Sequence, residues 1–188
     1  MANIKWALDP THSEVTFKVR HLMISTVTGQ FKKFDVIAET ETDDFSSVKN
    51  IKFTAEIDSI STNEAQRDGH LKSPDFFDAA KYPQLTFVSK NYDANDGEKL
   101  NGELTMHGVT KPITLNVEFG GIAQDPYGQT KAGFTVTGKI NRKEFDLKWG
   151  AVTETGNVVL SDEVKINVEI QLVKQVKELV EEEIANNA

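Results

Sequence analysis

The amino-acid sequence predicts an all-β fold in which about eight antiparallel strands form a single domain. Two observations support this prediction. Apolar and polar residues alternate with a period of two along most of the 188-residue chain, which is typical of strands with one buried face. Residues that favour tight turns separate the alternating runs. A chain of this length buries roughly 70% of the surface that its unfolded form exposes, so a large core or a cavity is possible.

The first clear strand is "EVTFKVRHLM", in which Val15, Phe17 and Val19 share one face and polar residues occupy the other. The same alternation occurs in "IKFTAEIDSI", where Ile51 and Phe53 lie on the apolar face. Six further strands are predicted in "GQFKKFDVIAETE", "QLTFVSKNY", "KLNGELTMHG", "ITLNVEFGG", "AGFTVTGKI" and "EVKINVEIQLV".

Turn residues follow several of these strands, in "ANDG", "HGVTKP", "DPYG" and "ETGN". They predict hairpins, and therefore an antiparallel sheet. A long sheet with one apolar face hides that face by closing into a barrel or by folding into a sandwich. The interior of an eight-stranded barrel is just wide enough to be filled by side chains or to hold one small ligand. The strand pattern alone leaves both alternatives open.

Residues 61–83 interrupt the strand pattern. Ser61 and Glu64 have the spacing of a capping box, which predicts a short helix beginning there. Ser73 and Pro74 predict a second helical start, and Pro83 ends it. Long excursions between strands are uncommon in compact domains and often act as lids. We therefore predict a helical lid over 61–83.

The C-terminal segment 174–188 is predicted to be an amphipathic helix outside the barrel domain, which covers 1–173. In "KQVKELVEEEIANNA" and the residue before it, Val173, Val176, Val180 and Ile184 recur at helical spacing. Such a helix packs on the barrel or on a second subunit, which would make a homodimer. The alternative is a frayed terminal helix.

Composition excludes several classes of function. Acidic residues outnumber basic ones by 29 to 21, for a net charge of -8, and no basic block indicates nucleic-acid binding. The chain has no cysteine. No stretch is apolar for the ~18 residues that a membrane-spanning helix needs, and the N-terminus lacks the pattern of a secretion signal. We expect a soluble, cytoplasmic protein, although a periplasmic protein with its signal removed would show the same pattern.

Four blocks of sequence resemble the YceI-like, polyisoprenoid-binding family. They are "HSEVTFKVRHLMISTVTGQFKKFD", "SISTNEAQRDGHLKSPDFFDAAKYPQLTFVS", "GELTMHGVTKPITLNVEF" and "VTGKINRKEFDLKWG". The resemblance extends from Trp6 to Leu172 and implies an extended, lipocalin-like antiparallel barrel. It also implies that the apolar lumen receives a long-chain amphiphile, such as a polyprenyl phosphate or an isoprenoid quinone. The chain departs from the family where members often read "DFG" and it has Glu144, Phe145 and Asp146.

Residues two apart on a strand share a face, which identifies candidates for the lining of the lumen. They are Phe17, Val19, His21, Phe31, Phe34, Ile51, Phe53, Ile57, Leu85, Phe87, Leu104, Met106, Phe134, Val136 and Trp149. The alternative is that these side chains form an ordinary packed core. Given the resemblance, we expect them to line a ligand channel.

Polar and aromatic residues of the lid region are candidates for contact with a ligand's head group. Phe76 and Phe77 are expected to face the cavity from the lid. Arg67, Asp68, His70 and Arg142 could meet a polar head group at the mouth, since arginine offers a fork of donors suited to phosphate or to a quinone carbonyl. Alternatively, these charged residues form ion pairs and hydrogen bonds that fasten the lid to the barrel rim.

Three functions remain open from the sequence. The first is non-enzymatic binding, sequestration or transport of a polyisoprenoid, an isoprenoid quinone or a similar lipid. The second is an enzyme that acts on such a ligand with His21 or His70 as acid or base. The third is a filled barrel that serves as a stress or interaction protein through its acidic tail. The histidine spacing predicts no metal site, and the sequence lacks the motifs of nucleophilic catalysis and dinucleotide binding, so we expect no cofactor.

Overall fold

The computed structural model describes residues 3–95, 97–150 and 159–175. In this part of the chain the backbone forms eleven strands and one α-helix. The strands are β1 (Ile4–Leu8), β2 (Glu14–His21), β3 (Ser25–Phe31), β4 (Phe34–Thr40), β5 (Lys49–Glu56), β6 (Ile60–Ser61), β7 (Gln84–Asp93), β8 (Lys99–Met106), β9 (Val109–Gln124), β10 (Thr130–Asn141) and β11 (Leu160–Lys174), and the helix is α1 (Ala65–Lys72).

Eight of these strands close into an antiparallel barrel. Their order is β1-β4-β5-β7-β8-β9-β10-β11, and β11 pairs back with β1 to complete the ring. The closing ladder joins Trp6 to Lys174 and Leu8 to Leu172. Closure removes the free sheet edges. The predicted class, an eight-stranded lipocalin-like barrel, is confirmed.

Strands β2, β3 and β6 lengthen the barrel wall because they continue β1, β4 and β5 beyond short breaks. Both β1 and β2 pair with β11, at its C-terminal and N-terminal parts. A 3₁₀ helix at Pro10–His12 separates β1 from β2, and another at Ile57–Ser59 separates β5 from β6. Proline lacks the N–H that a ladder requires, which accounts for the first break. The segment "GQFKKFDVIAETE", predicted as one strand, is divided at 32–33.

Two clusters of apolar side chains occupy the interior. The larger one includes Phe31, Ala55, Phe87, Leu104 and Phe145 and extends through most of the barrel. The smaller cluster fills the end at which β1 closes the ring; its buried members are Trp6, Val36, Ala38, Phe45, Ala132, Ile170 and Leu172. The barrel is therefore packed solidly at this end.

The lid region has less helix than the sequence predicts. The helix α1 begins at Ala65, and its N-cap is Glu64, whose carboxylate accepts hydrogen bonds from the N–H groups of Gln66 and Arg67. The predicted capping role of Ser61 is therefore wrong, since Ser61 belongs to β6. The predicted second helix at Ser73 is also wrong. Ser73 is the C-cap of α1, and a series of turns follows it.

At the C-terminus, β11 runs through Lys174, one residue beyond the predicted domain boundary. Val173, assigned above to the pattern of the tail helix, pairs with Ala7 and Lys131 in the sheet. The remaining predicted tail helix, at 176–188, lies outside the described residues. No helix in the described ranges is long and apolar enough to cross a membrane.

Candidate ligand cavity

The barrel encloses an apolar cavity of about 220 Å³, the volume open to the centre of a water molecule. Thr16 and Arg142 are the only polar residues along it in the described part of the chain. Its apolar lining comprises Val15, Phe17, Val19, Phe31, Val36, Ile51, Phe53, Leu71, Phe76, Phe77, Leu85, Phe87, Leu100, Leu104, Met106, Ile113, Leu115, Val136, Ile140, Leu147, Leu160, Val164, Ile166, Val168 and Ile170. Cavities of this composition accommodate apolar ligands.

Glycines on neighbouring strands position two of the lining rings. An added Cβ at Gly29 would lie 2.3 Å from the Phe17 ring, and one at Gly102 would lie 2.4 Å from the Phe87 ring. Both contacts are far shorter than a normal van der Waals distance. The rings of Phe17 and Phe87 therefore pack directly on the backbone of Gly29 and Gly102, and any larger residue at these glycines would displace them.

The lid covers one end of the cavity with apolar side chains. Leu71 of α1 and the following Phe76 and Phe77 line the cavity. The ring of Phe77 meets Phe31 of the barrel edge-on, with centroids 6.2 Å apart. On the other side of the lid, Phe76 contacts Trp149 at 5.0 Å. The lid is thus part of the apolar lining.

His70 lies against this aromatic layer. Its ring is 5.0 Å from Phe76 and 5.1 Å from Trp149, edge to face with both. Its Nε2 is 2.9 Å from a carboxylate oxygen of Asp75. His70 is half-exposed and does not line the cavity.

Arg67 and Asp68 hold the start of the lid. The Nε and Nη2 groups of Arg67 donate hydrogen bonds to the hydroxyl and the carbonyl oxygen of Thr62, both at 2.7 Å. The Asp68 carboxylate accepts from the N–H of Thr62 at 2.8 Å and from its hydroxyl at 2.5 Å. Neither charged residue lines the cavity. These contacts fit the alternative in which the charged residues fasten the lid to the barrel rim.

Arg142 brings a charged group to the cavity at the lid end. It follows β10, and its side chain is only 5% exposed. The Nε group donates to the carbonyl oxygen of Ser161 at 3.0 Å, and Nη1 donates to those of Leu147 and Trp149 at 2.7 and 2.6 Å.

The second terminal nitrogen of Arg142, Nη2, is buried without a hydrogen-bond partner among the described residues. The carboxylate of Asp162 lies 3.9 Å away from it. Burial lowers the pKa of the Arg142 guanidinium, and the Asp162 charge opposes that shift. A buried donor without a partner is costly, so an acceptor that reached Nη2 would bind favourably.

The structure places most of the predicted lining residues along the cavity, and five elsewhere. Those at the cavity are Phe17, Val19, Phe31, Ile51, Phe53, Leu85, Phe87, Leu104, Met106 and Val136. Ile57 is buried in the core within a 3₁₀ helix, and Phe134 packs beside Phe45 in the smaller cluster. Phe34 packs between the two clusters, on the ring of Phe53.

The other two exceptions lie at the lid end. His21 is the last residue of β2, opposite Leu160 of β11, and does not line the cavity. Trp149 follows β10 outside any strand, and its ring packs against Phe76 of the lid and does not line the cavity. The alternation rule fails for Trp149 since it lies outside any strand.

Several cavity residues were not among the sequence candidates. Most of them, such as Leu115, Ile166 and Ile170, belong to predicted alternating strands, so the period-two signal could have identified them. Leu71 on α1 and Leu147 after β10 have no such signal. No cluster of three or more metal-ligating side chains occurs in the described ranges.

A closed antiparallel barrel around an apolar cavity, covered at one end by a helical lid, defines a lipocalin-like barrel protein. The family model of the YceI-like domain matches residues 6–172. The chain therefore belongs to the YceI-like family.

Two staphylococcal relatives cover most of the chain. It is 40% identical over 163 residues to a UPF0312 protein of Staphylococcus aureus strain USA300, spanning 85% of this chain and 92% of the relative. Over 164 residues it is 40% identical to a UPF0312 protein of Staphylococcus epidermidis, spanning 86% and 92%.

Solved structures share the fold. The YCEI protein of Campylobacter jejuni is 36% identical with a TM-score of 0.72, covering 89% of this chain and 96% of that one. BcnA of Burkholderia cenocepacia is 25% identical with a TM-score of 0.72, covering 87% and 98%. A polyisoprenoid binding domain from Saccharophagus degradans is 18% identical with a TM-score of 0.62, covering 90% and 98%, which is a likeness of fold.

Proposed function

We propose that this protein binds a long-chain amphiphile without converting it, with the apolar tail in the barrel cavity and the polar head beside Arg142. The observation that carries the proposal is the cavity itself, which has a continuous apolar lining and one charged side chain at its lid end. Sequestration or transport of a polyisoprenoid, an isoprenoid quinone or a similar lipid would follow from such binding.

The hydrophobic effect supports a long tail as the occupant. Each buried methylene contributes about 0.8 kcal/mol, so ten contribute roughly 8 kcal/mol. This is comparable with the association cost of ~4–15 kcal/mol. Because an apolar wall distinguishes single methylenes by only about 1–3 kcal/mol, the protein should accept a class of lipids rather than one molecule.

The free donor of Arg142 supports a head group with an acceptor oxygen, such as a phosphate, a carboxylate or a carbonyl. Arg142 lines the cavity, and its Nη2 is buried and lacks a hydrogen-bond partner among the described residues. Charge-assisted hydrogen bonds of a guanidinium to such oxygens are about twice as strong as neutral ones. The tail would then extend away from the lid into the barrel.

Binding without turnover is proposed because the candidate acid and base residues do not line the cavity. Neither His21 nor His70 is among its described lining residues. The structural neighbour from Saccharophagus degradans is a polyisoprenoid binding domain, which supports a binding role at the level of the fold.

The test is native mass spectrometry of the purified protein, followed by organic extraction and identification of any bound lipid. We expect about one long-chain molecule per chain, or uptake of added prenyl alcohols and prenyl phosphates by protein that is empty. Comparing a prenyl phosphate with the hydrocarbon of the same length tests the head-group contact, since only the phosphate carries oxygens that can accept a hydrogen bond from Arg142. A protein that stays empty with every added lipid would overturn the proposal.

A further inference from the structure

Behind the cavity wall, at the end opposite the lid, three rings pack together in an aromatic plug, which we define as Trp6, Phe45 and Phe134. Phe45 lies at the centre. Its ring centroid is 4.7 Å from that of Trp6 and 4.9 Å from that of Phe134. Phe45 is 4% exposed.

Phe45 reaches this position from a connection rather than from a barrel strand. It begins the 3₁₀ helix Phe45–Ser47, which joins β4 to β5. The carboxylate of Asp44 caps this helix by accepting from the N–H of Ser46 at 2.9 Å. The connection between β4 and β5 thus places the Phe45 ring across the barrel end. No barrel strand carries this ring.

The plug packs behind residues of the cavity wall. Val36 and Ile170 line the cavity and also belong to the buried cluster that contains Phe45. Along β10 the plug residue Phe134 and the head-group candidate Arg142 are eight positions apart, which is about 26 Å at ~3.3 Å per residue. A tail that starts near Arg142 and runs along the barrel axis therefore has a limited path before it meets the plug.

We propose that Phe45 determines the longest tail that the cavity accepts. The inference rests on the proposed lipid-binding function and adds its selectivity for chain length. Each added methylene that finds room raises affinity by about fourfold. Once the tail contacts Val36 and Ile170 in front of the plug, further methylenes stay in water and affinity no longer increases.

The test measures the affinity of a homologous series of saturated fatty acids for the wild-type protein and for three variants. We expect the wild-type affinity to rise with length and then level off. In Phe45→Ala, loss of the ring opens the end of the cavity, so affinity should keep rising by about fourfold per methylene beyond the wild-type limit. In Val36→Phe, the added volume in front of the plug should move the limit to shorter chains.

The matched control is Phe119→Ala. Its ring stacks on Phe134 at 5.2 Å and is 5.6 Å from Phe45, yet it is 37% exposed against 4% for Phe45, and it belongs to neither buried cluster. Phe119→Ala removes the same side-chain atoms as Phe45→Ala from the same end of the barrel. The chain length at which its affinity levels off should equal that of the wild type. Thermal unfolding establishes that each variant is folded.

The outcomes separate this inference from the proposed function. If the wild type binds no fatty acid and no prenyl lipid, the proposed function fails. If the wild type binds and Phe45→Ala shows the wild-type limit, Phe45 does not determine length. Should Phe45→Ala be unfolded, Val36→Phe decides, because an unchanged limit in that variant would place the end of the tail elsewhere.

Discussion

Arg67 holds Thr62 by two hydrogen bonds of 2.7 Å, one to its hydroxyl and one to its carbonyl oxygen. Thr62 is 4% exposed and directly follows β6, so the contact joins the lid helix to the end of a barrel strand. The lid is thereby fastened at its N-terminal side.

Arg67→Ala should loosen the lid. The substitution removes two charge-assisted donors and leaves the buried carbonyl oxygen of Thr62 unsatisfied, which costs about 1–3 kcal/mol. We expect a bound fluorescent fatty acid to dissociate several-fold faster, as measured by stopped-flow displacement. Arg20→Ala is the control, because Arg20 also makes two hydrogen bonds but lies exposed on β2. Equal release rates in both variants would refute the lid role.

Gly29→Ala should reduce the cavity. The new Cβ would lie 2.3 Å from the Phe17 ring, so the ring must move, and the open space available to it is the cavity. We expect about 1–3 kcal/mol of lost stability and at least a tenfold loss of affinity in a titration with fatty acid. Gly133→Ala is the matched strand control, since a Cβ there meets nothing within 4 Å. An unaffected affinity in Gly29→Ala would indicate that tails do not pass Phe17.

Asp9→Asn should make the free energy of unfolding depend less on pH below pH ~4. The hydrogen bond from Lys131, at 2.7 Å, holds the pKa of the Asp9 carboxyl well below its ordinary value of 3.8. Because the pKa of Asp9 is lower in the folded state than in the unfolded state, the Asp9 carboxylate contributes fully to stability above pH ~4. This contribution is lost as the pH falls below that value. We expect the variant to be less stable by about 1–2 kcal/mol at neutral pH, and the difference to shrink in denaturant titrations below pH ~4.

Asp43→Asn provides the comparison for that prediction. Asp43 accepts from Lys174 at the same distance, 2.7 Å, but its side chain is 64% exposed against 12% for Asp9. Exposed ion pairs contribute ~0–1 kcal/mol. Similar losses in the two variants would show that burial does not govern the strength of the Asp9 contact.

Asp146→Gly should stabilise the protein. Asp146 has a φ of 60°, in the left-handed region that favours glycine. Relief of that conformation should raise the free energy of unfolding by about 0.5–1 kcal/mol. The exposed pair with Lys148 contributes little. Asp44→Gly should instead destabilise, since Asp44 has a φ of -84° and caps a helix; a loss of stability in Asp146→Gly would contradict the argument.

Much of the barrel could be predicted from the sequence because period-two alternation is a local signal. The faces of β5 and β7 follow from it, and Phe53 and Phe87 do line the cavity. The lid was also predictable as an interruption of that pattern, although its helix is shorter than the capping signals indicate. The same rule fails for Trp149 and Ile57, which lie outside the strands.

The sequence by itself therefore determined the fold class, the apolar face of each main strand and the place of the lid. Only the tertiary structure decided that the interior is hollow near Phe17 and filled near Phe45. Alternation indicates which face of a strand is buried, but it does not indicate which side chains from other segments pack against that face. The plug depends on a ring from a short connection meeting Trp6, 39 positions away in the chain. The burial of Arg142 Nη2, which has no hydrogen-bond partner within the described ranges, likewise results from long-range packing that no local pattern encodes.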